Sequence, residues 1–128
     1  MSRKRVAVFG LGSMGIGMAR ALSRAGHIVW GFDIRAEVAD AFAEETGNIE
    51  AFEDVSSQID VVVLVVLNRA QATDIMFGQR GIVKQLQPGS CIINCVTISF
   101  EDARLAASRC AYSNIAYLDA PISGGAIK

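Results

Sequence analysis

Long hydrophobic runs are what this sequence most plainly lacks. Its longest fully apolar stretch, Val61 to Leu67, is far short of the roughly 20 residues that cross a bilayer, so no membrane partner is expected. Charge of one sign is also missing: 12 basic and 13 acidic residues are spread along 128, for a net charge of −1. A nucleic-acid binder would carry a basic patch. The only basic cluster, Arg3-Lys4-Arg5, reads instead as the solvated entry to a first strand. It does not open a signal peptide either, because the apolar residues after it are broken by Gly10, Gly12, Gly15 and Gly17. Cysteine is sparse and odd in number: Cys91, Cys95 and Cys110. Without an export signal, reduced thiols in a cytoplasmic protein are expected. Cys91 and Cys95 lie four apart in a strand-like run, on one face and about 13 Å from each other. That spacing closes neither a zinc site nor a disulfide, and small buried hydrophobes is the simpler account.

What is present fits one domain, with enough chain to bury a core without staples. The apolar fraction, 52%, is slightly high for a soluble domain, which points to a strongly buried sheet or to a face that docks elsewhere. Short β-branched runs alternate with helical stretches. Strands are predicted at Arg5 to Phe9, Ile28 to Phe32, Ile49 to Phe52 (short), Asp60 to Val66, Ser90 to Val96 and Ile115 to Leu118. Helices are predicted at Ser13 to Ala25, Ala36 to Glu45, Gln71 to Phe77 and Phe100 to Cys110, with a brief helical turn after Phe52. Gly26 and Gly47 follow two of the helices as natural stops. The run Val61-Val62-Val63-Leu64-Val65-Val66 is apolar without alternation, as in a strand buried on both faces of a parallel sheet. The expected fold class is α/β, a Rossmann-type doubly wound parallel sheet in a single domain spanning 1–128.

The sharpest motif is Gly10-Leu11-Gly12-Ser13-Met14-Gly15, placed between a predicted strand and a predicted helix. Gly10 permits the tight turn, Gly12 lets backbone approach a pyrophosphate, and Gly15 permits close helix packing. The helix N-terminus then faces a dianion with free N–H groups. Asp33 ends the second strand 18 residues after Gly15. A carboxylate there accepts both adenosine ribose hydroxyls and repels a 2′-phosphate; the alternative is a surface aspartate capping the helix from Ala36. Arg35 could accommodate such a phosphate, so NADP stays open while NAD is favoured. Flavin and S-adenosylmethionine folds also use glycine-rich first turns. Ligands in open α/β sheets sit at the C-terminal strand ends, which puts Leu67, Asn68 and Thr97 near the nicotinamide half. Asn68 could equally cap the next helix, and Thr97 could simply end a strand.

Gly10 to Gly15 with Met18-Ala19, then Ala25-Gly26-His27 and Gly31-Phe32-Asp33, resembles the N-terminus of the β-hydroxyacid dehydrogenases. Asp119-Ala120-Pro121-Ile122-Ser123-Gly124-Gly125 is similar to that family's substrate-binding signature, and Thr97-Ile98-Ser99 to its nicotinamide segment. The resemblance implies that Ser123, Gly124 and Gly125 contact the substrate carboxylate and hydroxyl. One hydroxyl and unhindered N–H groups suit an anion, although a tight turn would also explain them. Two positions depart from the usual pattern: Asn68 where many members carry proline, and Val96 in place of a common serine. Asn68 together with the Ser-Gly-Gly-Ala-Ile-Lys ending looks most like the L-threonate dehydrogenase branch.

The resemblance further implies a catalytic lysine on a helical second domain, several tens of residues past Gly125. Lys128 is too near the signature and Lys84 reads as a surface charge. The expectation is therefore a fragment that binds cofactor without turnover, from an enzyme of small hydroxy acids whose full-length relatives are homo-oligomers. A stand-alone NAD(H)-binding module is the second reading. A methyltransferase would need an acidic or aromatic motif after the fourth strand, which Leu67-Asn68-Arg69 does not supply. No metal is expected.

Overall fold

Among residues 2–122, which the computed structural model describes, the two sequence periods resolve into five strands and five α-helices, with short 3-10 turns at Ser56–Gln58 and Ile82–Lys84. In chain order these are β1 (Arg5–Phe9), α1 (Ser13–Arg24), β2 (Ile28–Phe32), α2 (Ala36–Thr46), α3 (Phe52–Val55), β3 (Val61–Leu64), α4 (Arg69–Phe77), β4 (Cys91–Asn94), α5 (Phe100–Tyr112) and β5 (Ala116–Asp119). The strands form one parallel sheet in the order β2-β1-β3-β4-β5. Register is continuous across its centre, with Val8 of β1 beside Gly31 of β2 and Val63 of β3. The doubly wound architecture expected from the alternation is thus present.

Strand alternation splits the core in two, because successive side chains leave opposite faces. Val6, Val8, Val29 and Val63 pack with Ala19 of α1 and Phe42 of α2 on one face. Ala7, Trp30, Val62, Leu64 and Ile92 pack with Phe52, Met76, Ala106 and Cys110 of the later helices on the other. Both faces of β1 and β3 are therefore covered, which is why their sequences show no polar alternation.

The helix stops fall where the glycines stand. Gly47 takes φ 81° and its N–H donates to the Ala43 carbonyl, while Gly26 takes φ 100° beyond α1. The left-handed region suits a residue without Cβ.

One expected element is absent and must be corrected: Ile49 to Phe52 is not a strand. Ile49 is 76% exposed, and Phe52 opens the short helix α3. The Asn48 side-chain amide donates to the Val29 carbonyl, and the Trp30 indole N–H donates to Glu50. Side chains thus meet the outer strand where another strand was expected. Phe52 turns inward against Phe9 and Phe32, with ring centroids 5.4 and 5.8 Å away.

Two strands are shorter than their apolar runs. β4 ends at Asn94 because the Asn94 side-chain oxygen takes the Val96 N–H, two residues on. β3 ends at Leu64, although the Val65 N–H still reaches the Phe9 carbonyl.

Candidate functional site

β1 leads to α1 on one face of the sheet, and β3 leads to α4 on the other. Neighbouring strands whose connections leave in opposite directions open a crevice at their C-terminal ends. A crevice of ≈ 1040 Å³ lies there, at the upper end of the range for small-molecule and cofactor sites. Its walls come from the β1–α1 turn (Gly10, Gly12, Met14, Gly15), the end of β2 (Asp33, Ile34, Arg35), the segment after β3 (Val65 to Arg69) and the segment after β4 (Cys95 to Thr97). Phe9 and Phe32, stacked at 4.9 Å, contribute apolar lining.

The three glycines of the turn differ physically. Gly10 has φ 101°, and a Cβ there would strike the Val65 carbonyl; one at Gly15 would strike the Gly10 carbonyl. Gly12 is unlike either. Its backbone is extended (φ −69°, ψ −169°), its side caps nothing, and a Cβ there would meet no atom within 4 Å. Neither its dihedrals nor its packing calls for glycine. What the missing Cβ keeps open is the approach to the N-terminus of α1, where no side-chain cap occupies the first N–H groups. The first-turn donors and this gap suit a pyrophosphate.

At the end of β2 the Asp33 side chain is only 6% exposed, so it is no surface aspartate. Nor does it cap α2, whose N-cap is Arg35. Its Oδ2 accepts the Leu11 N–H at 2.8 Å, which ties the glycine turn to β2. Its Oδ1 accepts the Arg35 N–H at 2.9 Å, and the Arg35 guanidinium bonds both oxygens, at 2.9 and 3.0 Å. The Arg35 side chain foremost, with the two backbone N–H groups, holds the Asp33 carboxyl well below the usual carboxylate range, against the opposing effect of burial.

Of the residues singled out from sequence, Gly10, Gly12, Met14, Gly15, Asp33, Leu67, Asn68 and Thr97 all line the crevice. Leu11 and Ser13 are not among its lining residues. The Leu11 side chain is core, 4% exposed, and its amide is committed to Asp33. Asn68 does cap α4, its side-chain oxygen accepting the Gln71 N–H at 3.0 Å, and it stands at the crevice while doing so. Ser123, Gly124, Gly125 and Lys128 lie outside the described residues.

Sequence reasoning did not find Phe9 and Phe32 as lining residues, nor Arg69, which pairs with Asp102 at 2.8 Å. Ordinary strand and helix residues carry no local mark of facing a ligand. Burial pushes the Cys91 and Cys95 thiols up and that of Cys110 to about 11, so all three are protonated at neutral pH, and Cys95 at the crevice is a thiol. No helix among the described residues is long and apolar enough to cross a membrane.

The family model of the NAD-binding domain of 6-phosphogluconate dehydrogenase matches residues 5–128. L-threonate dehydrogenase of Pectobacterium atrosepticum is 39% identical over 128 residues, covering 96% of this chain and 41% of that protein. The same-named protein of Cupriavidus necator is 38% identical over 129 residues, covering 100% and 43%. Among solved structures, 3-hydroxyisobutyrate dehydrogenase from Salmonella typhimurium matches with a TM-score of 0.86 at 35% identity, over 98% of this chain and 44% of its own. The chain thus spans about two fifths of the length of these relatives.

Proposed function

This chain belongs to the family of NAD-binding domains typified by that of 6-phosphogluconate dehydrogenase, and from that premise we propose that it holds NAD(H), in preference to NADP(H), for oxidation of a small 3-hydroxy acid. The observation that carries the reading is Gly12: a position where neither backbone conformation nor packing excludes a side chain, open in front of a helix N-terminus that no side chain caps. In this reading the first N–H groups of α1 hold the pyrophosphate. Asp33 accepts the adenosine ribose hydroxyls, and Leu67, Asn68 and Thr97 flank the nicotinamide. Bound NAD supplies the hydride acceptor for a carbinol carbon.

The substrate contacts belong to Ser123, Gly124 and Gly125 by family resemblance, and the substrate class to the L-threonate and 3-hydroxyisobutyrate dehydrogenases that the chain resembles. The general acid/base is a different matter. Among the described crevice residues there is no lysine, histidine or tyrosine; of the two carboxylates there, Asp33 is committed to its own hydrogen bonds and Asp74 stands exposed to water. We assign that role to a lysine outside these 128 residues, on a helical domain that completes a cytoplasmic, homo-oligomeric enzyme. The same observation favours the second reading, a stand-alone NAD(H)-binding module.

Calorimetry at fixed salt tests the cofactor assignment. NADH should bind at least about tenfold more tightly than NADPH, or about 1.4 kcal/mol, a modest demand on one carboxylate facing a 2′-phosphate. Equal affinities would defeat the NAD preference, and no binding of either would defeat the cofactor reading itself.

A further inference from the structure

A carboxylate offers about four lone-pair sites, and Asp33 has all four in use. Two are taken by backbone N–H groups, Leu11 on Oδ2 and Arg35 on Oδ1; two are taken by the Arg35 guanidinium, Nε on Oδ1 and Nη2 on Oδ2. The backbone pair is part of the turn geometry and stays. The guanidinium pair is different, because its side chain is 52% exposed while that of Asp33 is 6% exposed. A ribose diol brings two hydroxyl donors. It can reach the carboxylate only if two donors leave, and only the guanidinium is free to go.

We propose that Arg35 is a specificity-setting residue of the crevice, an internal competitor that closes Asp33 in the free protein and is exchanged, donor for donor, for the ribose hydroxyls of NAD(H). This rests on the reading that the crevice binds NAD(H), and adds a residue and a sequence of events to it. Once displaced, the guanidinium remains within two residues of Asp33, beside the ribose. There a 2′-phosphate would give it a new bidentate partner, whereas an unmodified ribose gives it none. Glu37, in the first turn of α2, is the acidic neighbour that also acts on Arg35 in the free protein. Arg35 therefore works against NADH and for NADPH. The discrimination set by Asp33 is narrower than that carboxylate alone would impose.

The test uses the full chain, NADH and NADPH, and four variants in one calorimetric series. Arg35→Ala should tighten NADH about threefold, the size expected for an ion pair with one solvent-exposed partner that no longer has to be broken. It should weaken NADPH by a similar factor, so that the preference widens. Arg35→Lys separates competition from mere structure. Lysine is a point charge without the planar fork, so NADH should tighten much as in the alanine variant while NADPH affinity is largely kept. In Asp33→Ala the effect of removing Arg35 on NADH should vanish, which the double variant Asp33→Ala/Arg35→Ala reads as a coupling between the two residues. Unchanged or weaker NADH binding in Arg35→Ala would overturn the proposal, since it would make Arg35 a bystander or a direct cofactor contact. If the unmodified chain binds neither nucleotide, the cofactor reading fails first, and that outcome is plainly distinct.

Discussion

A Cβ at Gly10 would run into the Val65 carbonyl and one at Gly15 into the Gly10 carbonyl, so these two positions exclude side chains whether or not a ligand is present. Gly12 has space around it. Glycine is a better N-cap than an apolar residue, but neither the φ of Gly12 nor its packing shuts a side chain out. The open space before the helix N-terminus is what a ligand-binding turn needs and an ordinary one does not. Gly12→Val should weaken NADH by about tenfold or more, while costing the fold about 1 kcal/mol because valine is a poor N-cap. Gly15→Ala should instead lower stability by about 1–3 kcal/mol from overpacking against backbone, with or without cofactor. Thermal melts with and without NADH read both effects. A Gly12→Val protein that still gains stability from NADH as the unmodified chain does would remove the pyrophosphate from this turn.

At the scale of elements, the crevice wall after β4 depends on one buried side chain. Asn94 is fully buried, donates to the Tyr117 hydroxyl at 2.9 Å and accepts the Val96 N–H at 3.1 Å. The second bond turns the chain out of the sheet, so that Cys95, Val96 and Thr97 reach the crevice. The first braces the same side chain against β5. Tyr117→Phe should cost stability, about 1–3 kcal/mol for an unpaired buried amide, and leave NADH affinity close to that of the unmodified chain. Asn94→Ala should cost stability and affinity together, because Val96 loses the partner that shapes the wall. Equal NADH affinities in the two variants, by calorimetry below their melting temperatures, would show that the turn does not depend on Asn94.

For the molecule as a whole, the question is which part of the reaction these residues can carry. The parts proposed to hold the cofactor are Gly12, the α1 N-terminus and Asp33, all inside the described chain. The described crevice residues include no lysine, histidine or tyrosine, and their two carboxylates are Asp33, committed to its own hydrogen bonds, and the exposed Asp74. Proton transfer by a positioned side chain contributes about 10²–10⁴-fold in rate, and the proposed reading gives that transfer to a lysine outside these 128 residues. The 128-residue chain should therefore bind NADH yet show no turnover with NAD and L-threonate, 3-hydroxyisobutyrate or glycerate, followed at the reduced-nicotinamide absorbance. A clear rate from this chain would overturn the assignment of the acid/base to residues beyond it. A rate confined to a longer protein would support it, and no rate there either would favour the stand-alone binding module.

Much of this arrangement was legible in the sequence because it is local. Strand and helix periods, the unbroken Val61–Leu64 run, the stops at Gly26 and Gly47, and the order strand, glycine turn, helix each depend on neighbours within a few residues. So does the placement of Asp33 at a strand end. What only the tertiary structure decided involves partners far apart in the chain. Ile49 to Phe52 carries apolar residues enough for a strand, yet Asn48 and Glu50 meet β2 with side chains and Phe52 turns under Phe9. Leu11 sits inside the motif, yet its side chain packs beneath Gly31, where a Cβ would come within 2.9 Å of it. Its amide binds Asp33, 22 residues away. The saturation of Asp33 is likewise a fact of space, since the spacing of Asp33 and Arg35 permits the fork but does not require it. Local sequence sets which conformations a segment favours; which donor meets which acceptor is decided when the sheet brings distant segments to one crevice and burial leaves each polar group in need of a partner.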